Sequence, residues 1–334
     1  MLAEEGEHVL QGILNCPGCW QEFPIADGVP VIVAEVRSFV AQSAASLLLR
    51  DDLDPLLASL VSDCCGPGST FEVVRQHLSN YTWGHYADLD PSEPEEPPRG
   101  ALVRLLARAL ELSAELGPLP SGPRLAAGCS VGRDALELAR AAPDELVLGV
   151  DLNLPMLRLG QRALRSGEVR YPRRRCGIVY DERTLSLTPE LRQAAERVDL
   201  WAADATALPF SAGSFALVSS LNLIDCVNDP HGHLESVRDV LSPGGRAIVA
   251  TPHDWSPNAT APEAWLGGHS QRGAQEGACE PILRALLTPG GHPATVAGLE
   301  LRAEDDDVPW LVRLHERSHV RYRAQLVVAE RSPE

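Results

Sequence analysis

The sequence contains no run approaching the roughly 18 consecutive apolar residues of a membrane span, which argues against a transmembrane protein or a membrane partner. Its start, MLAEEGEHVL, lacks the basic residues and apolar core of a secretory signal, so a cytoplasmic location is expected. Positive charge is scarce. With 29 Lys and Arg against 46 Asp and Glu, the formal net charge is -17, and such a surface repels a phosphate backbone. Nucleic acid is therefore not an expected partner. The local exception, RYPRRR at 170–175, reads as a solvated loop with anion binding as the alternative. The eight cysteines, with no secretory context, read as reduced thiols rather than a disulfide framework. No internal repeat is visible.

What is present is an apolar content of 44%, enough for a full core, in a length that suggests about two domains. Residues 8–33 read as short strands around Cys16 and Cys19, with a turn at Ala26, Asp27 and Gly28 before the apolar run Val29 to Val33, which can pair back as a hairpin strand. Helical patterns fill 36–80. Residues 89–100, LDPSEPEEPPRG, suit an extended linker. The expected division is a small module at 1–36, a helical lid and linker at 37–98, and a main α/β domain at 99–334. The main domain is expected to close without residues 1–36.

After the linker, strands expected at 123–127, 146–150, 198–203, 215–221 and 246–251 alternate with helices near 132–141, 154–166 and 231–241, the order of a parallel, doubly wound sheet. VPWLVRLHE and VRYRAQLVVAE, separated by Arg317 to His319, read as a closing antiparallel hairpin. Ligands of such sheets sit at the carboxyl ends of the strands. There RLAAGCSVGRDALELAR turns from strand to helix through Gly128 and Gly132, where small residues permit close backbone approach and the helix N-terminus favours a negative group. Asp151 ends the second strand, nineteen positions after Gly132, where an acid accepts hydrogen bonds from ribose hydroxyls. Asp204, near the end of a third, is a partner for an adenine amino group. The glycines are spaced G-x-x-x-G, unlike the G-x-G-x-x-G of dinucleotide dehydrogenases.

These strand ends, with LSPGGRAIVA, resemble the S-adenosylmethionine pocket of class I methyltransferases on a seven-stranded Rossmann-like sheet. The resemblance implies S-adenosylmethionine as cofactor, held by Gly128, Cys129, Gly132, Arg133, Asp151, Leu152, Asp204, Ala205, Asn222 and Tyr86. Two positions depart from the family: Ala126 stands where an acid is usual, and Ser130 where a middle glycine is common. More narrowly, NYTWGHYAD, GCSVGRDALELAR, LNLIDCVNDPHGHL, WLGG and DVPWLVRLHERSHVRYRAQ resemble, in order, the methyltransferase domain of ovothiol synthases, and the N-L-x-D core resembles that of protein-histidine Nπ-methyltransferases. Cys226 replaces the arginine usual in both families.

The narrower resemblance implies a histidine-type substrate, small molecule or peptide, contacted by His85, Tyr86, Asn222, Asp225 and Trp265. Asp225 and Asn222 are the expected catalytic pair. An imidazole is mostly neutral at cytoplasmic pH, so its methylation depends on orientation more than on base strength. Asp225 would accept the N–H of the non-reacting nitrogen, and Asn222 would position ring or cofactor. Two alternatives stand beside this reading: a non-catalytic methyltransferase-like partner protein, and an oxygen or sulfur methyltransferase of another metabolite. GILNCPGCWQEFPIADGVPVI resembles half of the zinc ribbon that accompanies several methyltransferases. A tetrahedral site needs four ligands and only Cys16 and Cys19 are evident, with Cys64 and Cys65 adjacent and distant, so no metal is expected; zinc, including a site shared across a dimer, is the alternative. A protein partner or a dimer through this module is the implied role.

Overall fold

The computed structural model describes residues 2–50 and 53–332. At the N-terminus β1 (Ala3–Glu5), β2 (His8–Asn15), β3 (Glu22–Ala26) and β4 (Val29–Pro30) form an antiparallel sheet in chain order. Asp27 and Gly28, both at positive φ, make the expected turn between β3 and β4, the conformation whose twist suits a two-residue hairpin. Four helices follow: α1 (Val36–Gln42), α2 (Ala44–Leu48), α3 (Pro55–Cys65) and α4 (Thr70–Tyr86). The proline-rich segment is irregular and held in place: Glu93 is buried and pairs with Arg173, and the Arg99 guanidinium donates to the Asp90 carbonyl at 2.5 Å.

The main domain runs α5 (Ala101–Glu115), β5 (Arg124–Ala127), α6 (Arg133–Ala141), β6 (Val147–Asp151), α7 (Leu154–Ser166), β7 (Glu168–Cys176), β8 (Val179–Ser186), α8 (Pro189–Ala195), β9 (Val198–Ala202), β10 (Phe215–Leu221), α9 (Pro230–Val240), β11 (Leu241–Thr251), α10 (Cys279–Leu286), β12 (Leu299–His315) and β13 (Ser318–Arg331). Its seven-stranded sheet has the order β12-β13-β11-β10-β5-β6-β9. The strands β11, β10, β5, β6 and β9 are parallel, and β13 enters antiparallel between β11 and β12. This is the doubly wound class I methyltransferase arrangement with its closing hairpin. Helix starts follow local chemistry: Asn153 caps α7 and Asp229 caps α9, each followed within two residues by proline.

Every residue of β10 is buried, as a strand covered on both faces requires. One apolar layer packs Leu105, Leu136, Leu157 and Leu200 on one face of the sheet, and another packs Leu234, Val237, Leu283 and Val327 on the other. From β5 the strand order runs one way through β6 to β9 and the other way through β10 to β11. The crevice at this reversal, beyond the carboxyl ends of β5 and β10, is where open α/β sheets bind ligands.

Two expectations need correction. RYPRRR is not a loop but part of β7, paired with β8, because alternate residues Val169 and Tyr171 turn into the core while Arg170 and Arg173 meet Glu182 and Asp181. Nor do residues 29–36 stand outside the core of the main domain. Val31 bridges Ala202 in parallel, Ile32 donates to the Ala202 carbonyl at 2.7 Å, and Val29, Val31, Val33 and Val36 lie in the main core. The segment is thus joined to edge strand β9 by a single bridge and buries its valines in the main core. Among the described residues no helix is long and apolar enough to cross a membrane.

Candidate active site at the strand ends

Three neighbouring parallel strands, β5, β10 and β11, are each followed within three residues by a non-glycine residue in the left-handed region: Ser130 (φ 52), Asn222 (φ 53) and His253 (φ 55). Such backbone costs about 1–3 kcal/mol per residue and clusters at functional sites. It persists here because each residue is fixed from outside. Asn222 donates its N–H to the Ala250 carbonyl at 2.7 Å, Ser130 its N–H to Asp151 Oδ2 at 2.8 Å, and His253 its N–H to Thr251 Oγ1 at 2.9 Å.

The glycine turn after β5 is closely fitted. Gly128 and Gly132 adopt φ of 73° and 81°, and an added Cβ would meet Leu223 Cδ1 at 2.8 Å and Leu200 Cδ1 at 2.9 Å. The amides of Gly128 and Cys129 both donate to the Val150 carbonyl, locking the turn to β6. Asp151 closes β6 with Oδ2 on Ser130 N–H and Oδ1 on Asn153 N–H, each at 2.8 Å. Burial raises its carboxyl above the usual range, and these amides oppose the rise. Leu152 beside it is exposed, while Ala205 is buried next to Asp204. Asp204 lies two residues past β9, with Oδ1 committed to Thr206 and Oδ2 outside that contact.

Asn222 and Asp225 differ from ordinary strand-end caps in what they leave unpaired. Both polar atoms of the Asn222 amide are buried without a partner. Asp225 is 2% exposed; its Oδ2 accepts from Asp254 N–H at 2.8 Å, while Oδ1 is buried and unpartnered. Desolvation raises the Asp225 carboxyl. Unpaired buried polar atoms cost about 1–3 kcal/mol each, so three of them on one four-residue stretch mark a place for a ligand or ordered water.

The remaining candidates are spread around this centre. Tyr86 is buried and donates to the Val131 carbonyl at 3.0 Å, pinning the glycine turn to α4. Arg133, 3% exposed, bridges Asp88 and Glu137, each at 2.8 Å, and donates to the His85 carbonyl. His85 is buried with Nδ1 unpaired, and burial, then the Arg133 charge, pushes its pKa down to about 3. Trp265 stacks on Trp255 at 5.9 Å and donates to the Thr260 carbonyl. Among the described residues no three His, Cys, Asp or Glu side chains form a metal-holding group.

Sequence reasoning gave no role to four residues that the fold brings to the centre, Tyr81, Tyr322, Asp254 and His253. Tyr81, on α4, has 45% of its surface exposed, yet its phenol is pushed up to about 12, first by burial and then by Cys226, Asp151 and Asp225. The two observations agree if the ring edge is exposed and the hydroxyl points inward. Tyr322, on β13, donates to Asp254 Oδ2 at 2.6 Å, and burial followed by Asp254 raises its phenol. His253 completes the group. Tyr81 lies inside NYTWGHYAD and Tyr322 inside DVPWLVRLHERSHVRYRAQ, while His253 and Asp254 are brought in by the end of β11.

Residues 125–249 match the family model described as a methyltransferase domain. No curated protein matches the sequence. Similar solved structures include the cyclase SpnF, 15% identical over 84% of this chain and 96% of its own, with a TM-score of 0.47. A SAM-dependent methyltransferase from Methanosarcina mazei is 19% identical over 66% of this chain and 97% of its own, at 0.40. Phosphoethanolamine N-methyltransferase 2 of Haemonchus contortus, solved with S-adenosyl-L-methionine, is 22% identical over 43% of this chain and 28% of its own, at 0.31. On the strand order and the family match together, residues 125–249 are a class I methyltransferase domain, with S-adenosylmethionine as its cofactor.

Proposed function

We propose that this chain N-methylates the imidazole ring of a histidine derivative or of a peptide or protein histidine. The observation that carries the reading is the divided Asp225 carboxylate, with one oxygen held by Asp254 N–H and the other buried and free. A neutral imidazole has one N–H and one lone pair on opposite sides of the ring. A fixed oxygen accepting that N–H aims the lone pair away from itself and provides countercharge as the ring becomes cationic. The unpaired Asn222 amide offers a donor and an acceptor to hold the ring or the cofactor.

S-adenosylmethionine, when bound, supplies an electrophilic methyl on a sulfonium. In this reading the turn from Gly128 to Gly132 takes its methionine end, Asp151 the ribose hydroxyls, and Asp204 the adenine amino group, with Leu152 and Ala205 beside the base. Tyr86 and Arg133 stiffen the turn from behind, and Tyr81 and Tyr322 wall the acceptor side. Asp225→Asn tests the assignment: the amide oxygen can keep the Asp254 N–H, but the group facing the acceptor becomes a neutral donor. Turnover of labelled cofactor with histidine, thiol-bearing histidines, histidine dipeptides and peptides is expected to fall by about 100- to 1000-fold, with cofactor affinity unchanged. Full activity of the variant would remove Asp225 from the chemistry.

A further inference from the structure

The Nδ1 atom of His253 is a further buried polar atom at the three strand ends without a partner. Its ring is not free to turn. Nε2 lies 2.8 Å from Gln325 Oε1, and Gln325 is itself 1% exposed. The Gln325 amide nitrogen faces two groups that can only accept, Glu304 Oε1 at 2.6 Å and the Glu280 carbonyl at 3.3 Å. Its oxygen must therefore be the end that meets the histidine, and the bond requires the hydrogen on Nε2. Glu304 is fixed in turn by Arg284, whose Nε lies 2.7 Å from both carboxylate oxygens, while the same guanidinium reaches Asp306. The relay runs through buried and half-buried groups from Arg284 to the strand end.

We infer that Gln325, held by Glu304, is a positioning residue that fixes His253 as its Nε2–H tautomer and leaves Nδ1 as the proton acceptor of the methyl-acceptor site. The inference rests on the imidazole reading above. Two features put His253 beside Asp225. The residue after His253 donates its N–H to Asp225 Oδ2 at 2.8 Å, and the charge on His253 acts to lower the Asp225 carboxyl against its burial. The titratable groups around the pair include Asp254, Tyr322, Tyr81, Cys226, Cys279 and Asp151.

The step balances. The lone pair of the acceptor nitrogen forms the new N–C bond while the old C–S bond breaks, its electron pair remaining on sulfur. The methylated ring is then a cation carrying one N–H, held by Asp225. That proton passes by way of Asp225 to His253 Nδ1, giving a neutral product and a cationic His253 flanked by the Asp225 carboxylate, and leaves to solvent on product release. Without the relay, the neutral ring could place its hydrogen on Nδ1 and face the acceptor with a donor.

Long-range nitrogen–proton NMR on full-length protein with labelled histidine tests the tautomer directly, with His253→Gln identifying the signal among the 10 histidines. An Nε2–H ring at 253 that loses this preference in Gln325→Met is the expected result. Turnover of an imidazole acceptor is expected to drop by about 10²- to 10⁴-fold in His253→Gln, with KM and cofactor affinity held. Gln325→Met should show a smaller drop and a displaced acid limb of the kcat profile. An Nδ1–H ring in the wild type overturns the relay, whatever the substrate. Full kcat with an unchanged pH profile in both variants overturns the proton-acceptor role while leaving the imidazole reading intact. Normal methyl transfer confined to a non-imidazole acceptor overturns that reading and the role of Nδ1 with it.

Discussion

Val31 is fully buried where the N-terminal segment meets edge strand β9, and Val31→Ala isolates that contact. Removing two buried carbon atoms costs about 1.6 kcal/mol of transfer free energy and about 1 kcal/mol more for the cavity. For a chain of this size that corresponds to a fall in Tm of about 3 to 4 °C. The consequence extends to the site, since Ala202, the partner of Val31, is two residues from Asp204. Deleting residues 1–36 removes four buried valines at about 1.5 to 3 kcal/mol each, a loss of roughly 6 to 12 kcal/mol against a usual total of about 5 to 15. The truncated chain is expected to be unfolded or barely folded at 37 °C. Scanning calorimetry and circular dichroism on both variants decide the matter. A truncated chain that melts within about 2 °C of the full one would refute the claim that this segment stabilises the main core.

Asp151→Ala removes a charged hydrogen-bond acceptor at the end of β6 and is expected to weaken S-adenosylmethionine binding by about 1.5 to 3 kcal/mol in isothermal titration; unchanged affinity would separate Asp151 from the ribose. Asp134, 1% exposed at the start of α6, has its pKa raised to about 8, chiefly by burial. A raised folded-state value means that folded protein binds more protons, so the wild type loses stability as pH climbs from about 4 to about 8. The gain in Tm from Asp134→Asn should therefore be near zero at the acid end of this window and greatest at pH 8 and above. A gain that does not vary with pH would show that Asp134 is not held protonated.

The parallel strands and the hairpin were legible because their signals are local: alternating apolar residues, Asn-Asp-Pro before α9, and a two-fold pattern through VRYRAQLVVAE. The β7 strand was obscured by four arginines, three of which find their partners Glu93, Asp181, Glu182 and Glu316 elsewhere in the chain. The edge role of Val29 to Val33 was hidden for the same reason. A five-residue apolar run shows that it must be buried, not that it pairs with Ala202. At the site, Gly128, Asp151, Asn222 and Asp225 stand at turns whose chemistry is visible in sequence. Tyr81, Tyr322 and the His253 relay depend on α4, β13 and α10 converging across the strand ends, and no spacing encodes that meeting.

The central claim is that the methyl group goes to an imidazole nitrogen, and the position of the methyl in the product tests it most directly. Full-length protein would be incubated with methyl-labelled S-adenosylmethionine and the histidine-type acceptors, and the product examined by carbon–proton correlation NMR. The account predicts a methyl signal coupled to imidazole ring carbons, absent with Asp225→Asn. A methyl on oxygen, sulfur or an aliphatic amine would contradict it.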